Sequence, residues 1–160
     1  MLNKPLGMQT FVATLLAALP VLADPPGAWH APRSFRDWQL DCPGTTCPLH
    51  TSVRGSDGSE VLRVTATAGP APALRIQTPL PHFLPDGIAL TLGGAPPWIV
   101  PWQTCTASGC EATLALDPLL LTRLRGERSG SVTLTLVDGV KVRLAFSLHG
   151  ISAALDARGG

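Results

Sequence analysis

The residues in this sequence best suited to chemistry are four cysteines in two pairs, each with four intervening residues: Cys42 with Cys47, and Cys105 with Cys110. Thiols paired in this way form either disulfides or a zinc site that uses all four thiolates. Structural zinc sites mostly use closer pairs, and an exported chain meets an oxidising compartment, so we predict two disulfides. The turn-forming dipeptides Pro43-Gly44 and Ser108-Gly109 favour pairing within each pair over the two other connectivities.

Other groups that could support catalysis are dispersed along the chain. The histidines lack the spacing of metal ligands on one helix face, so we predict no metal site and no cofactor: His30, His50, His82 and His149. Four carboxylates could pair across strands as the acids of glycosidases do, although surface positions are the simpler interpretation: Asp37, Asp41, Glu111 and Asp117. Without a catalytic constellation, we predict that the protein is not an enzyme.

Two local clusters could instead bind a partner. Trp98 and Trp102 form the one concentration of aromatic residues, and they would anchor a partner if they were exposed. Packing in the core is the interpretation we favour for them. Arg123, Arg125 and Arg128 could contact an anionic headgroup or glycan. Arginines near the end of a helix are also favourable without any ligand, because they complement the helix dipole.

The N-terminus has the order of a secretory signal peptide, which we assign to residues 1–23. Lys4 precedes an apolar run over residues 11–19, which Pro20 ends, and small residues lead to Ala23. We predict cleavage after Ala23 and a periplasmic or secreted protein; an uncleaved anchor is the alternative. No second apolar run of this kind follows, so we expect no transmembrane segment after cleavage.

Length and charge restrict the classes of protein to which this chain can belong. The 160 residues, 45% of them hydrophobic, suit one domain with a core. The 12 basic and 11 acidic residues become equal in number when Lys4 is removed, which excludes a charge-driven nucleic-acid partner. We assign residues 24–34 to an extended proline-rich arm and residues 35–158 to a single β-rich domain.

Apolar residues in this domain recur with period two more often than with the helical period. We predict about eight or nine short strands and two short helices, at residues 117–125 and 151–158, in an antiparallel β-sandwich or barrel. Asp138-Gly139 is the strongest hairpin signal, and it predicts a type I′ turn between two closing strands.

The order of several motifs resembles the invasion-associated locus B family over roughly residues 35–157. The motifs include Trp38-x-Leu40-x-Cys42, the Cys-x-x-x-Gly-Cys-Glu-Ala segment ending at Ala112, and the Ser-Leu-x-Gly segment ending at Gly150. The resemblance implies an exported bacterial protein with a small β-rich domain. Founding members are linked to erythrocyte invasion, whereas many others occur in bacteria that invade nothing. Pro81 and His82 depart from the glycine usual after Pro-Leu.

These observations predict a non-enzymatic, disulfide-stabilised domain that binds an envelope or host-surface partner. Two other functions stay open at this point. One is an envelope hydrolase whose site is built from dispersed carboxylates and histidines, and the other is a structural envelope-stress protein without a specific ligand. The sequence does not distinguish an oligomer from a monomer.

Overall fold

A computed structural model describes residues 30–42, 47–68, 70–79 and 81–158. The predicted signal peptide and residues 24–29 of the predicted arm lie outside them. The described strands are β1 (His30–Phe35), β2 (Trp38–Cys42), β3 (Leu49–Arg54), β4 (Glu60–Thr67), β5 (Ala73–Thr78), β6 (Ile88–Leu92), β7 (Trp98–Val100), β8 (Thr104–Thr106), β9 (Gly109–Ala115), β10 (Ser129–Thr135) and β11 (Lys141–Ser147). The helices are α1 (Pro118–Gly126) and α2 (Ile151–Arg158), and Leu84–Asp86 forms a 3-10 turn.

The strands form two antiparallel sheets that pack as a sandwich, which confirms the predicted fold class and selects the sandwich over the barrel. The large sheet has the order β1-β2-β3-β4-β5-β9-β8, and the small sheet has the order β11-β10-β6-β7. The described residues contain eleven strands rather than eight or nine, because β1 lies mostly in the predicted arm and the edge strand β8 has only three residues, too few for a periodic signal. Residues 30–34 of the predicted arm belong to β1, which pairs with β2.

Strict alternation of side chains builds the core between the sheets. In β4, Leu62, Val64 and Ala66 are fully buried while the intervening residues face outward. Trp38 of β2 is also fully buried, and its indole N–H donates to the carbonyl of Ser147 at the end of β11 (3.1 Å). This bond joins the two sheets at one edge of the sandwich.

The helices have the ends that their residues predict. The Asp117 carboxylate accepts a hydrogen bond from the Leu120 N–H at 2.7 Å, which caps α1. In α2, Ile151, Ala154 and Leu155 face inward and are buried. Since α2 packs against β1 and β2, it closes the part of the large sheet that the small sheet leaves uncovered.

The β10–β11 hairpin is confirmed, but its predicted type I′ turn is wrong. The Leu136 N–H donates to the Val140 carbonyl, so three residues form the loop instead of two. Gly139 has a φ of 83°. Among the described residues other than glycine, Arg36 alone has a positive φ, so the φ of Asp138 is not positive. Asp138 therefore lacks the positive φ of a type I′ turn. A three-residue loop with a left-handed glycine at its third position matches the strand twist equally well.

Candidate binding surfaces

Both predicted disulfides are present with the local connectivity, Cys42–Cys47 and Cys105–Cys110. The four thiols therefore do not form a zinc site. The second bridge joins directly opposed residues of β8 and β9. It fixes the short edge strand β8 to its neighbour, and each bridge closes only a small loop.

Of the candidate carboxylates, Asp41 and Glu111 do not come together, whereas Asp37 lines a groove with His50 and Glu60. Asp41 lies on β2 with its Oδ2 3.6 Å from Nδ1 of His50, and Glu111 lies on β9 with its Oε1 3.1 Å from Nε of Arg75. Four strand spacings separate β2 from β9, or about 19 Å at roughly 4.8 Å per strand. The acids of glycosidases lie about 5–9.5 Å apart. Asp117 is used as the cap of α1.

The outer face of the large sheet carries polar groups that bind one another. A groove of about 440 Å³ lies over β4, β5 and β9. In its wall, Nε of Arg63 donates to Oε1 of Glu60 at 2.8 Å, and this bond lowers the pKa of the Glu60 carboxyl. Gln77 donates to Glu111 at 3.3 Å. Sequence reasoning did not find Glu60 and Arg63, because the groove exists only after β9, which is distant in sequence, pairs with β5.

The arginine cluster is largely neutralised by neighbouring acids. Arg123 lies 3.5 Å from Glu127, and Arg125 lies 2.8 Å from Asp156 of α2. Arg128 is exposed and takes part in none of the ion pairs among the described residues. Two of the three arginines are therefore paired with acids, Arg123 at the end of α1 and Arg125 with α2.

The two tryptophans are half-buried and pack against the core, as the favoured interpretation requires. The exposed residue of this segment is Ile99, whose side chain is 68% exposed, because alternation in β7 turns Trp98 inward and Ile99 outward. Trp102 stacks on the imidazole of His82 with ring centroids 4.9 Å apart.

His82, the other ring of this stack, is buried. Its Nε2 lies 2.6 Å from Oγ1 of Thr78, and burial lowers the pKa of the imidazole. Nδ1 of His82 and Nε1 of Trp102 have no hydrogen-bond partner within the described ranges. The packed arrangement therefore favours the neutral imidazole.

Large exposed apolar side chains concentrate at the small sheet. Five of the six in the described residues lie on or beside it, and we call them the apolar set: Phe83, Leu84, Ile99, Val137 and Val140. The Phe83 N–H donates to the Thr135 carbonyl at 2.8 Å, which places Phe83 beside the end of β10. Val137 and Val140 flank the hairpin loop at the same end. The sixth residue, Leu119, is on α1.

The strands of the small sheet contain no acidic residue and two basic ones, Lys141 and Arg143. Ile99, Lys141 and Asp86, the last residue of the 3-10 turn, line a concavity of about 290 Å³ on the outer face. The strands of this face therefore carry apolar and basic side chains, and the acid comes from the turn before β6. In the large sheet, by contrast, acids and bases pair with each other.

The described residues contain no group of three or more His, Cys, Asp or Glu side chains placed to hold a metal ion. None of the described helices is long and apolar enough to cross a membrane. The geometry thus defines a disulfide-stabilised antiparallel β-sandwich with one self-paired polar face and one apolar, basic face.

Comparison with known proteins gives this sandwich a family. The family model described as "Invasion associated locus B (IalB) protein" matches residues 38–159, and the chain belongs to this family. The fold is similar to the crystal structure of invasion associated protein b from Bartonella henselae, with a TM-score of 0.73 at 17% sequence identity, over 80% of this chain and 95% of that one. No curated protein sequence matches the chain. The predicted family resemblance is confirmed.

Proposed function

We propose that this protein is an exported, non-enzymatic binding protein whose partner is a protein of the bacterial envelope or of a host surface. The observation that carries the proposal is the apolar set, since large apolar side chains left exposed on one sheet of a small domain favour a protein-binding surface there. The family and the similar Bartonella protein are both described as invasion associated, which supports a partner outside the cytoplasm. The two disulfides support the same compartment.

The arrangement of titratable groups also supports binding over hydrolysis. Asp41 and Glu111 lie on strands too far apart to act on one bond, and Glu60 is held by Arg63. A general acid needs a raised pKa, whereas the pKa of Glu60 is lowered. We therefore assign these groups to the solubility and pairing of the large sheet.

The test is affinity capture from envelope fractions and from host-cell surfaces with the mature protein and two variants. Ile99→Glu places a charge at the most exposed residue of the apolar set, on the edge strand β7, and we expect the captured partner to be lost. Leu119→Glu makes the same change at an equally exposed residue of α1, and we expect capture to continue. Retention of every partner by Ile99→Glu, with both variants folded, would overturn the proposal.

Export has its own test. The mature protein isolated from the extracytoplasmic fraction should begin at Asp24 when its N-terminus is sequenced. A chain that begins at Met1 would contradict cleavage and restore the anchor alternative.

A further inference from the structure

The outer edge of β11 carries a row of backbone hydrogen-bonding groups. The Leu136 N–H donates to the Val140 carbonyl at one end of the β10–β11 ladder, and the Leu148 N–H donates to the Arg128 carbonyl at the other. Because bonded and non-bonded pairs alternate in an antiparallel ladder, even-numbered residues of β11 bond to β10 and odd-numbered residues turn their N–H and C=O groups outward. These odd-numbered residues are Lys141, Arg143, Ala145 and Ser147.

Only the C-terminal end of this row is occupied. The Ser147 carbonyl accepts the Trp38 indole N–H at 3.1 Å, and the His149 carbonyl accepts the Asp37 N–H at 3.4 Å. No described residue donates to or accepts from the outward backbone groups of Lys141, Arg143 and Ala145. The unpaired part of the row therefore spans three alternate residues, enough for a short added strand.

Solvent reaches this edge from the inner side as well. Val142 and Leu144 face the core but are only half-buried. Val132 and Leu134, directly opposite them on β10, are 0% and 4% exposed. Since the two strands share the same inner face, the extra exposure on β11 reflects the missing neighbour. An added strand with apolar inward side chains would cover it.

The outward side chains along the same edge are basic. Lys141 and Arg143 are two residues apart on the outer face, and both are exposed. Nε of Arg143 donates to Oγ of Ser131 at 3.0 Å, which holds the guanidinium against the sheet. No strand of the small sheet carries an acid, and neither basic residue takes part in an ion pair within the described residues. Asp86, from the 3-10 turn, lines the same concavity as Lys141 and accepts a hydrogen bond from Thr135, so Arg143 is the less compensated of the two charges.

We propose that β11 accepts an extended segment of the partner protein as a fifth strand of the small sheet, and that this segment alternates acidic and apolar side chains. The proposal rests on the proposed binding function and specifies its partner. Residues opposed across a ladder point to the same face, so acids would stand opposite Lys141 and Arg143. The alternate residues would point inward beside Val142 and Leu144.

The test uses the mature protein and a synthetic eight-residue peptide of alternating glutamate and valine. We expect the peptide to slow amide hydrogen exchange at Lys141, Arg143 and Ala145 by at least tenfold, because these N–H groups gain acceptors. The Leu144 amide, which already bonds to β10, should change less than twofold. A peptide of alternating lysine and valine is the control and should have no effect. Unchanged exchange at all three outward amides under saturating glutamate–valine peptide would overturn the proposal.

Three variants test the mechanism. Ala145→Pro removes one outward N–H without removing a bond to β10, and it should weaken peptide binding at least tenfold while the fold persists. The double variant Lys141→Glu, Arg143→Glu should reverse the preference toward the lysine–valine peptide. Arg54→Glu, the same kind of charge reversal at one exposed residue of the large sheet, should leave peptide binding within twofold.

The outcomes separate this inference from the proposed function. If Ile99→Glu loses its captured partner but the glutamate–valine peptide does not protect β11, the binding function stands and the added-strand inference fails. If the β11 amides are protected without peptide, in step with self-association at rising protein concentration, a second copy of the chain occupies the edge, and the inference is also overturned.

Discussion

Trp38→Phe is the substitution that most directly tests the hydrogen bond between the two sheets. Trp38 is fully buried, and its indole is the described side chain that bonds the inner face of β2 to the end of β11. The substitution keeps an aromatic ring in the core but removes the donor to the Ser147 carbonyl. It also leaves a small void beneath α2.

The expected decrease in the free energy of unfolding comes from two losses, a hydrogen bond and packed volume. The Ser147 carbonyl is only partly buried, so the loss of its partner costs about 1–2 kcal/mol. A void of roughly 40 Å³, at about 24 cal/mol per Å³, adds about 1 kcal/mol. We therefore expect the free energy of unfolding to fall by about 2–3 kcal/mol and the Tm by roughly 8 °C. Urea unfolding with the disulfides intact measures this change, and the m-value should not alter.

Trp98→Phe is the matched control, because it removes the same atoms from a half-buried indole for which no hydrogen bond is found in the described residues. We expect this variant to lose about 1 kcal/mol or less. Equal losses in the two variants would refute the reasoning, since they would show that the bond between the sheets contributes nothing beyond volume.

Three further predictions concern single residues. Burial lowers the pKa of His82, so below about pH 6.5 the unfolded chain binds a proton that the folded chain does not, and the free energy of unfolding should fall as the pH drops. His82→Gln should flatten this fall when urea unfolding is measured across the pH range. Parallel plots of stability against pH for the two proteins would contradict the prediction. Asp117→Ala should lower the free energy of unfolding by about 1 kcal/mol while Asp117→Asn retains most of it, and equal losses would exclude the cap. Gly150→Ala imposes a side chain at a φ of 94° against the Phe35 carbonyl and should cost about 3 kcal/mol in thermal unfolding; a change within about 0.5 kcal/mol would contradict this.

Local signals predicted much of the fold because they act within a few residues. Alternation places β5 at residues 73–78, and an aspartate followed by a proline at the start of α1 gives the helix its beginning. The disulfide connectivity could also be predicted from the sequence, since both pairs close local turns. The loop of the β10–β11 hairpin differed because several turn types share the same Asp-Gly signal.

The candidate site was less predictable because it depends on contacts between distant segments. Phe83 looks like any apolar residue between prolines, and only its bond to the Thr135 carbonyl places it beside the small sheet. Aromatic content drew attention to Trp98 and Trp102, whereas alternation in a three-residue strand exposes Ile99. The outward row of β11 follows from the ladder with β10, which composition does not reveal.

The most direct test of the proposed binding surface is photo-crosslinking within the bacterium that produces the protein and at a host-cell surface. A photoreactive amino acid replaces Ile99 in one variant and Leu119 in the other. We predict a discrete crosslinked partner from position 99 and none from position 119. The same products from both positions, or from position 119 alone, would contradict a binding surface on the small sheet.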